Sequence, residues 1–167
     1  MIRSAGLSFA VFIVLAGLST VAQATEPETC GASYPITKPY EEKLRAFAQR
    51  VGLDRIRAFL GTVSSIIETG FAPPCYLRKD EAKARGWHPG EDLCAIDKGI
   101  AIGAYPFENR EGLLPRKYEG LYRIADLDYA CGKRNARRLI YVEGEPGEWL
   151  IWVTMDHYKS YIMVPAP

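Results

Sequence analysis

The spacing of apolar residues along this chain changes period once, near Ile100, and that change restricts the fold more than any other feature. Before it, Leu44, Phe47, Val51, Ile56, Phe59, Leu60, Val63, Ile66 and Ile67 recur at roughly helical intervals over residues 40–68. Gly52 and Gly61 predict breaks in this run, Gly70 predicts its end, and Pro73-Pro74 forbid its continuation. A second, short helix is predicted over 79–85, with Gly86 as its stop. After Ile100 the segments are strand-like. Residues 121–129 alternate, and 139–142, 149–155 and 158–164 are short runs rich in apolar, aromatic and β-branched residues. Gly144-Glu145-Pro146-Gly147 predicts a turn between two of them. Helices first and strands afterwards is an α+β order. The expected architecture has N-terminal helices packed on one face of a twisted antiparallel sheet, with a cleft on the other.

The N-terminus reads as a signal peptide over 1–24. Arg3 gives a positive start, residues 7–22 carry no charge, and Ala22-Gln23-Ala24 is a small-x-small cleavage site. Such a segment implies an extracytoplasmic destination, secreted or periplasmic. Residues 25–39, with Pro27, Pro35 and Pro39, read as an extended leader. The full chain has 21 basic and 20 acidic residues. Without Arg3 the two balance, so the mature chain lacks the global charge of a general polyanion binder, and any such contact needs a local cluster of cations. Cys30, Cys75, Cys94 and Cys131 all follow the cleavage site. An even number in an oxidising compartment predicts two disulfides, and four cysteines allow three pairings. The rival reading, a zinc site, has little to stand on: there is no C-x-x-C pair, and only His88 of the two histidines is near a cysteine in sequence.

Three features carry candidate chemistry. Lys133-Arg134 and Arg137-Arg138 form the densest basic cluster. Asp156-His157-Tyr158 falls at a predicted turn, and Asn109-Arg110-Glu111-Gly112 with Leu114-Pro115 is a polar loop with a turn glycine. Each alone has an ordinary structural explanation. Their order and spacing do not. Tyr76-Leu77-x-Lys79-x-Glu81-Ala82 with Gly86-Trp87 resembles the second helix of barnase-like microbial guanyl-specific ribonucleases. Phe107-x-Asn109-Arg110-Glu111-Gly112-x-Leu114-Pro115 resembles their guanine loop. Arg123-x-Ala125-Asp126-x-x-Tyr129-x-x-Gly132-x-Arg134-Asn135-x-x-Arg138 is similar to their central strand and arginine turn. Trp149-Leu150-Ile151 and Thr154-x-Asp156-His157-Tyr158 resemble their last hairpin. The likeness runs from about Pro73 to Tyr161 and places a ribonuclease domain at 59–167, after a leader and extra helix at 25–58.

The resemblance implies a secreted endoribonuclease that cuts single-stranded RNA after guanine by transphosphorylation, with no metal or other cofactor. It implies His157 as general acid, Arg134 and Arg138 as a phosphate clamp, Lys79 as a further cation and Asp126 as their support. It implies Glu111 on the guanine N1–N2 edge, backbone amides of Asn109 and Arg110 on O6, and Phe107 and Tyr158 as stacking surfaces. It further implies a monomer and a small acidic inhibitor protein as a partner. Cys94–Cys131 is the pairing its fold suggests, which leaves Cys30–Cys75 to pin the leader.

One position departs. Where the family places its catalytic glutamate, this chain has Ile124, in register through Ala125-Asp126. Alternation puts Ile124 on a face with Tyr122, Asp126 and Asp128, an apolar residue on an otherwise polar face. Three readings stay open. Asp126, Asp128 or Glu119 stands in as base; the remaining groups sustain slower cleavage; or the domain binds RNA or an inhibitor without turnover.

Overall fold

The structure, a computed structural model, describes residues 29–144 and 150–166. The predicted signal segment 1–24, the first leader residues, Trp149 and most of the predicted turn at 144–147 lie outside the described residues.

The helical run divides at Gly52 into α1 (Lys38–Arg50) and α2 (Ile56–Thr69). Gly61 does not break α2, contrary to the expectation. Its lack of a side chain serves packing, because a Cβ there would come 2.0 Å from the Gly31 carbonyl oxygen of the leader. α2 is buried continuously from Ala58 to Ile67 and forms the centre of the helical layer. Its entry is held from a distance: Asp128 accepts the backbone N–H groups of Asp54 (3.0 Å) and the N-cap residue Arg55 (2.9 Å). At the other end Gly70 adopts the left-handed conformation that terminates the helix.

The six strands lie in sequence order: β1 (Tyr76–Leu77), β2 (Ala101–Pro106), β3 (Tyr122–Asp126), β4 (Arg138–Val142), β5 (Ile151–Thr154) and β6 (Ile162–Met163). β2 to β6 pair antiparallel, as expected. β1 adds a parallel edge, and two residues are too few to announce a strand by periodicity. α3 (Lys79–Ala84) follows β1 directly, and the Glu81 carboxylate accepts the Arg78 N–H at its start (2.7 Å).

Alternation in the sheet sorts side chains into two cores. Ala125, Leu139, Tyr141 and Val153 face the helices and join Phe47, Phe59, Leu60 and Val63. Tyr122, Ile124, Ile140, Val142 and Trp152 form a smaller cluster on the opposite face. Both predicted disulfides are present. Cys30–Cys75 ties the leader to the approach of β1, and Cys94–Cys131 ties the short 3₁₀ turn Leu93–Ala95 to the loop after β3. No helix among the described residues is long and apolar enough to cross a membrane.

Candidate active site

The carboxylate of Asp126, almost fully buried at the end of β3, organises the site. Arg134 forms a bidentate pair with it, Nε to Oδ2 and Nη2 to Oδ1, both 2.6 Å. Arg138 stands directly across the β3–β4 ladder from Asp126, with Nε 3.2 Å from Oδ1. Its Nη1 also donates to the carbonyls of Asn135 and Arg137, both at 2.6 Å. One carboxylate therefore holds two guanidinium groups. Burial pulls Arg134 toward losing its proton, but the Asp126 hydrogen bonds and charge outweigh it and hold the guanidinium above its ordinary pKa. Arg134 therefore remains charged at any working pH.

Two tyrosines link this cation pair to a cleft of about 380 Å³. The charge of Arg134 acts on the Tyr105 phenol and that of Arg138 on the Tyr158 phenol. Burial raises both phenols above their ordinary value, with the facing arginines opposing the shift. Lys79, from the first turn of α3, lies in the cleft with Nζ 4.8 Å from the centre of the Tyr105 ring. Phe107 and Tyr158 stand 5.5 Å apart, centre to centre, and line the same space with Glu111 and Ile124.

His157 and Tyr158 sit in a tight loop after β5, both with positive φ (58° and 75°), a conformation that costs energy for residues with side chains. Asp156 fastens that loop. Its Oδ1 accepts the N–H groups of Lys159 (3.1 Å) and Ser160 (3.0 Å) and the Thr154 hydroxyl (2.9 Å), and its Oδ2 accepts the Ser160 hydroxyl (2.6 Å). The Ser160 hydroxyl and the other donors lower the Asp156 pKa to about 2. The exposed His157 ring packs 4.5 Å from Tyr158, which connects it to the Arg138 and cleft side.

The loop holding Asn109, Arg110 and Glu111 is braced from within. Asn109 donates to the Leu114 carbonyl (2.8 Å) and accepts the Leu114 N–H (3.1 Å). Glu108 and Arg110 form an exposed ion pair at 2.7 Å, and Glu111 is exposed.

Of the sequence-predicted residues, Lys79, Phe107, Arg110, Glu111 and Tyr158 line one cleft, Asp126, Arg134 and Arg138 form a separate ion cluster, His157 is exposed beside Tyr158 and does not line the cleft, and Asn109 braces the loop. The structure corrects two further expectations and locates a third residue. Ile124 is not a lone apolar residue on a polar face; it is 2% exposed and packs among Tyr122, Ile140 and Trp152. Asp128 lies beyond β3 at φ 57° and does not share that face. It holds the entry of α2 and pairs with Arg137. Glu119 does not line the cleft itself but an adjoining groove that shares Pro106, Phe107, Glu108 and Arg110 with it. Tyr105 escaped the sequence reading. The only hint was an aromatic residue after two small ones, Gly103-Ala104, a weak signal. Among the described residues, the one grouping of metal-type donors is Asp92 with Cys94 and Cys131, and its two sulfurs are joined in a disulfide.

Chemically, the cations can neutralise a phosphodiester while the aromatic pair stacks a base, which is the outline of a nucleic-acid-processing site. The ribonuclease family model matches residues 64–165, and the chain belongs to that family. A ribonuclease of Heyndrickxia coagulans is 36% identical over 110 residues, covering 65% of this chain and 97% of that protein. A ribonuclease of Bacillus intermedius is 36% identical over 110 residues, 65% of each chain. Guanyl-specific ribonuclease St of Saccharopolyspora erythraea is 42% identical over 74 residues, 40% of this chain and 66% of that protein. The resemblance to microbial guanyl-specific ribonucleases is therefore borne out.

Proposed function

We propose that this protein is a secreted endoribonuclease that cleaves single-stranded RNA after guanine by metal-free transphosphorylation. The observation that carries the reading is the joining of the Asp126–Arg134–Arg138 cluster to the Phe107–Tyr158 cleft through two tyrosines. A guanine stacks on Phe107 and Tyr158, with its N1–N2 edge at Glu111 and O6 at the Asn109 and Arg110 amides. The scissile phosphate then meets Arg134, Arg138 and Lys79. The 2′-hydroxyl oxygen attacks phosphorus as its proton passes to a non-bridging phosphoryl oxygen, the bond to the 5′-oxygen breaks, and imidazolium His157 protonates the departing oxygen. The cations stabilise the charge that builds on the phosphorane oxygens. The signal-type N-terminus and the two disulfides support export, and the resemblance supports a monomer that a small acidic inhibitor can cover on the cationic face.

The test is turnover of a guanosine-containing dinucleotide, with uridine and adenosine analogues as controls. His157→Ala should lower kcat by about 10²–10⁴-fold. A His157→Ala protein that cleaves like the parent overturns the assignment. Ile124 motivates a second reading, a domain that binds RNA or an inhibitor without cutting. That reading requires guanine nucleotides to bind while no dinucleotide is cleaved.

A further inference from the structure

The position opposite Ile124 is filled by a side chain that regular pairing would have sent elsewhere. Gly103 pairs with Ala125, and one step along β3 Ile124 pairs with Tyr105 rather than Ala104. The extra residue is a β-bulge, with Ala104 at φ 54°. Strand residues alternate faces, so without the bulge Tyr105 would oppose Arg123 and face away from Ile124. With it, Tyr105 comes to the same face as Ile124 and lines the cleft floored by that residue.

We propose that the Tyr105 hydroxyl is a catalytic group that assists the attacking 2′-hydroxyl in place of a carboxylate at position 124. This rests on the ribonuclease reading above. The hydroxyl is placed for it. Lys79 lies over the ring, the charges of Arg134, Arg138 and Asp126 all act on the phenol, and the neutral Tyr158 lines the same cleft. Burial keeps the phenol protonated, so it acts as a relay and not as a phenolate base. Its oxygen accepts the 2′-hydroxyl proton as its own proton passes to a non-bridging phosphoryl oxygen. The 2′-oxygen bonds to phosphorus, the bond to the 5′-oxygen breaks, and His157 donates its proton to that oxygen. The cyclic phosphoric acid then returns its proton to neutral His157, which leaves the enzyme as it began. The carboxylates that border the cleft are otherwise placed: Glu108 pairs with Arg110, and Glu111 sits on the base-edge loop.

The experiment is Tyr105→Phe, which keeps the ring and its packing and removes only the hydroxyl. On a guanosine dinucleotide, kcat should fall at least about 10-fold with KM changed less than about 3-fold. The parent's rate should show no acidic limb between about pH 6 and pH 3, the range where a carboxylate base would titrate out. In Ile124→Glu an acidic limb should appear, and adding Tyr105→Phe there should cost less than about 3-fold. A Tyr105→Phe protein as fast as the parent overturns the proposal, as does an acidic limb in the parent. Equal losses in both backgrounds overturn it too, since they mark a merely structural role. Should Ile124→Glu lose its cooperative melt, the kcat–KM split and the parent's pH profile decide alone. An inert parent beside an active Ile124→Glu rejects the relay but keeps the site. Two inert, folded proteins reject the ribonuclease reading, and the relay with it.

Discussion

Asp126 grips Arg134 with two parallel hydrogen bonds of 2.6 Å, from a carboxylate that is nearly sealed from water. Asp126→Asn removes the charge and one acceptor, and leaves two guanidinium groups to repel each other across the end of β3. Breaking one side of such a pair costs about 3–5 kcal/mol. Chemical denaturation should show a loss of that order, and turnover should fall with it because neither arginine keeps its aim. Stability within about 0.5 kcal/mol of the parent would contradict this role.

Asp128 works at longer range. It joins the N-terminus of α2 to the arginine loop through the Asp54 and Arg55 amides and the Arg137 guanidinium. Asp128→Ala should destabilise the fold by about 2 kcal/mol, from the lost bonds to the two amides and from a non-glycine residue left at positive φ. Asp128→Asn retains one oxygen acceptor and tolerates that backbone, so it should cost less than half as much. Equal losses would show that only the charge matters.

The loop bearing His157 makes a prediction in pH. Hydrogen bonds hold Asp156 at about 2 when folded, below its ordinary 3.8. A lowered folded pKa stabilises above the unfolded value and is lost as pH falls through the folded one. Asp156→Asn should therefore melt below the parent at neutral pH, and the gap should narrow between about pH 4 and pH 2. A gap independent of pH in thermal melts would reject this account.

Cys94–Cys131 joins residues 37 apart in sequence and anchors the segment just before Arg134. Replacing both by serine should lower stability by about 2–4 kcal/mol. Tyr129 still bonds the Leu93 amide (2.9 Å), Asp92 (2.8 Å) and the Gly132 carbonyl (3.3 Å), so the loop retains a second anchor. The double mutant should fold and cleave, with increased amide exchange over 131–135. Complete loss of folding would show that the tyrosine contacts contribute little.

What the sequence made legible follows from period and motif. α1, α2 and β3 were readable because a helical or alternating pattern ran long enough to count, and α3, β4 and β5 because short runs were bounded by turn signals. Boundaries contracted where the charge network took over: the predicted strand 121–129 ends at Asp126, because the chain then turns to deliver Asp128 to α2. The last predicted strand, 158–164, shrinks to Ile162–Met163 because Asp156 draws residues 159–160 into its own loop. β1 is held by its parallel neighbour, a contact that two residues cannot advertise. Tyr105 was invisible for a different reason. A bulge reverses the face of a side chain without altering composition, so nothing in the sequence pattern marks Tyr105 as facing Ile124. The character of the Ile124 face was misread because Asp126 and Asp128 look equivalent in sequence, while one points at arginines and the other at a helix terminus.

The burial of Ile124 has a thermodynamic side. A carboxylate in that place, between Tyr122, Ile140 and Trp152, would have to give up most of its hydration or be met by a cation. Isoleucine asks for neither and adds dispersion contacts to the outer face of the sheet. The substitution exchanges a reactive, costly group for cohesion, so this chain should outlast a glutamate-bearing version under heat even where it turns over more slowly.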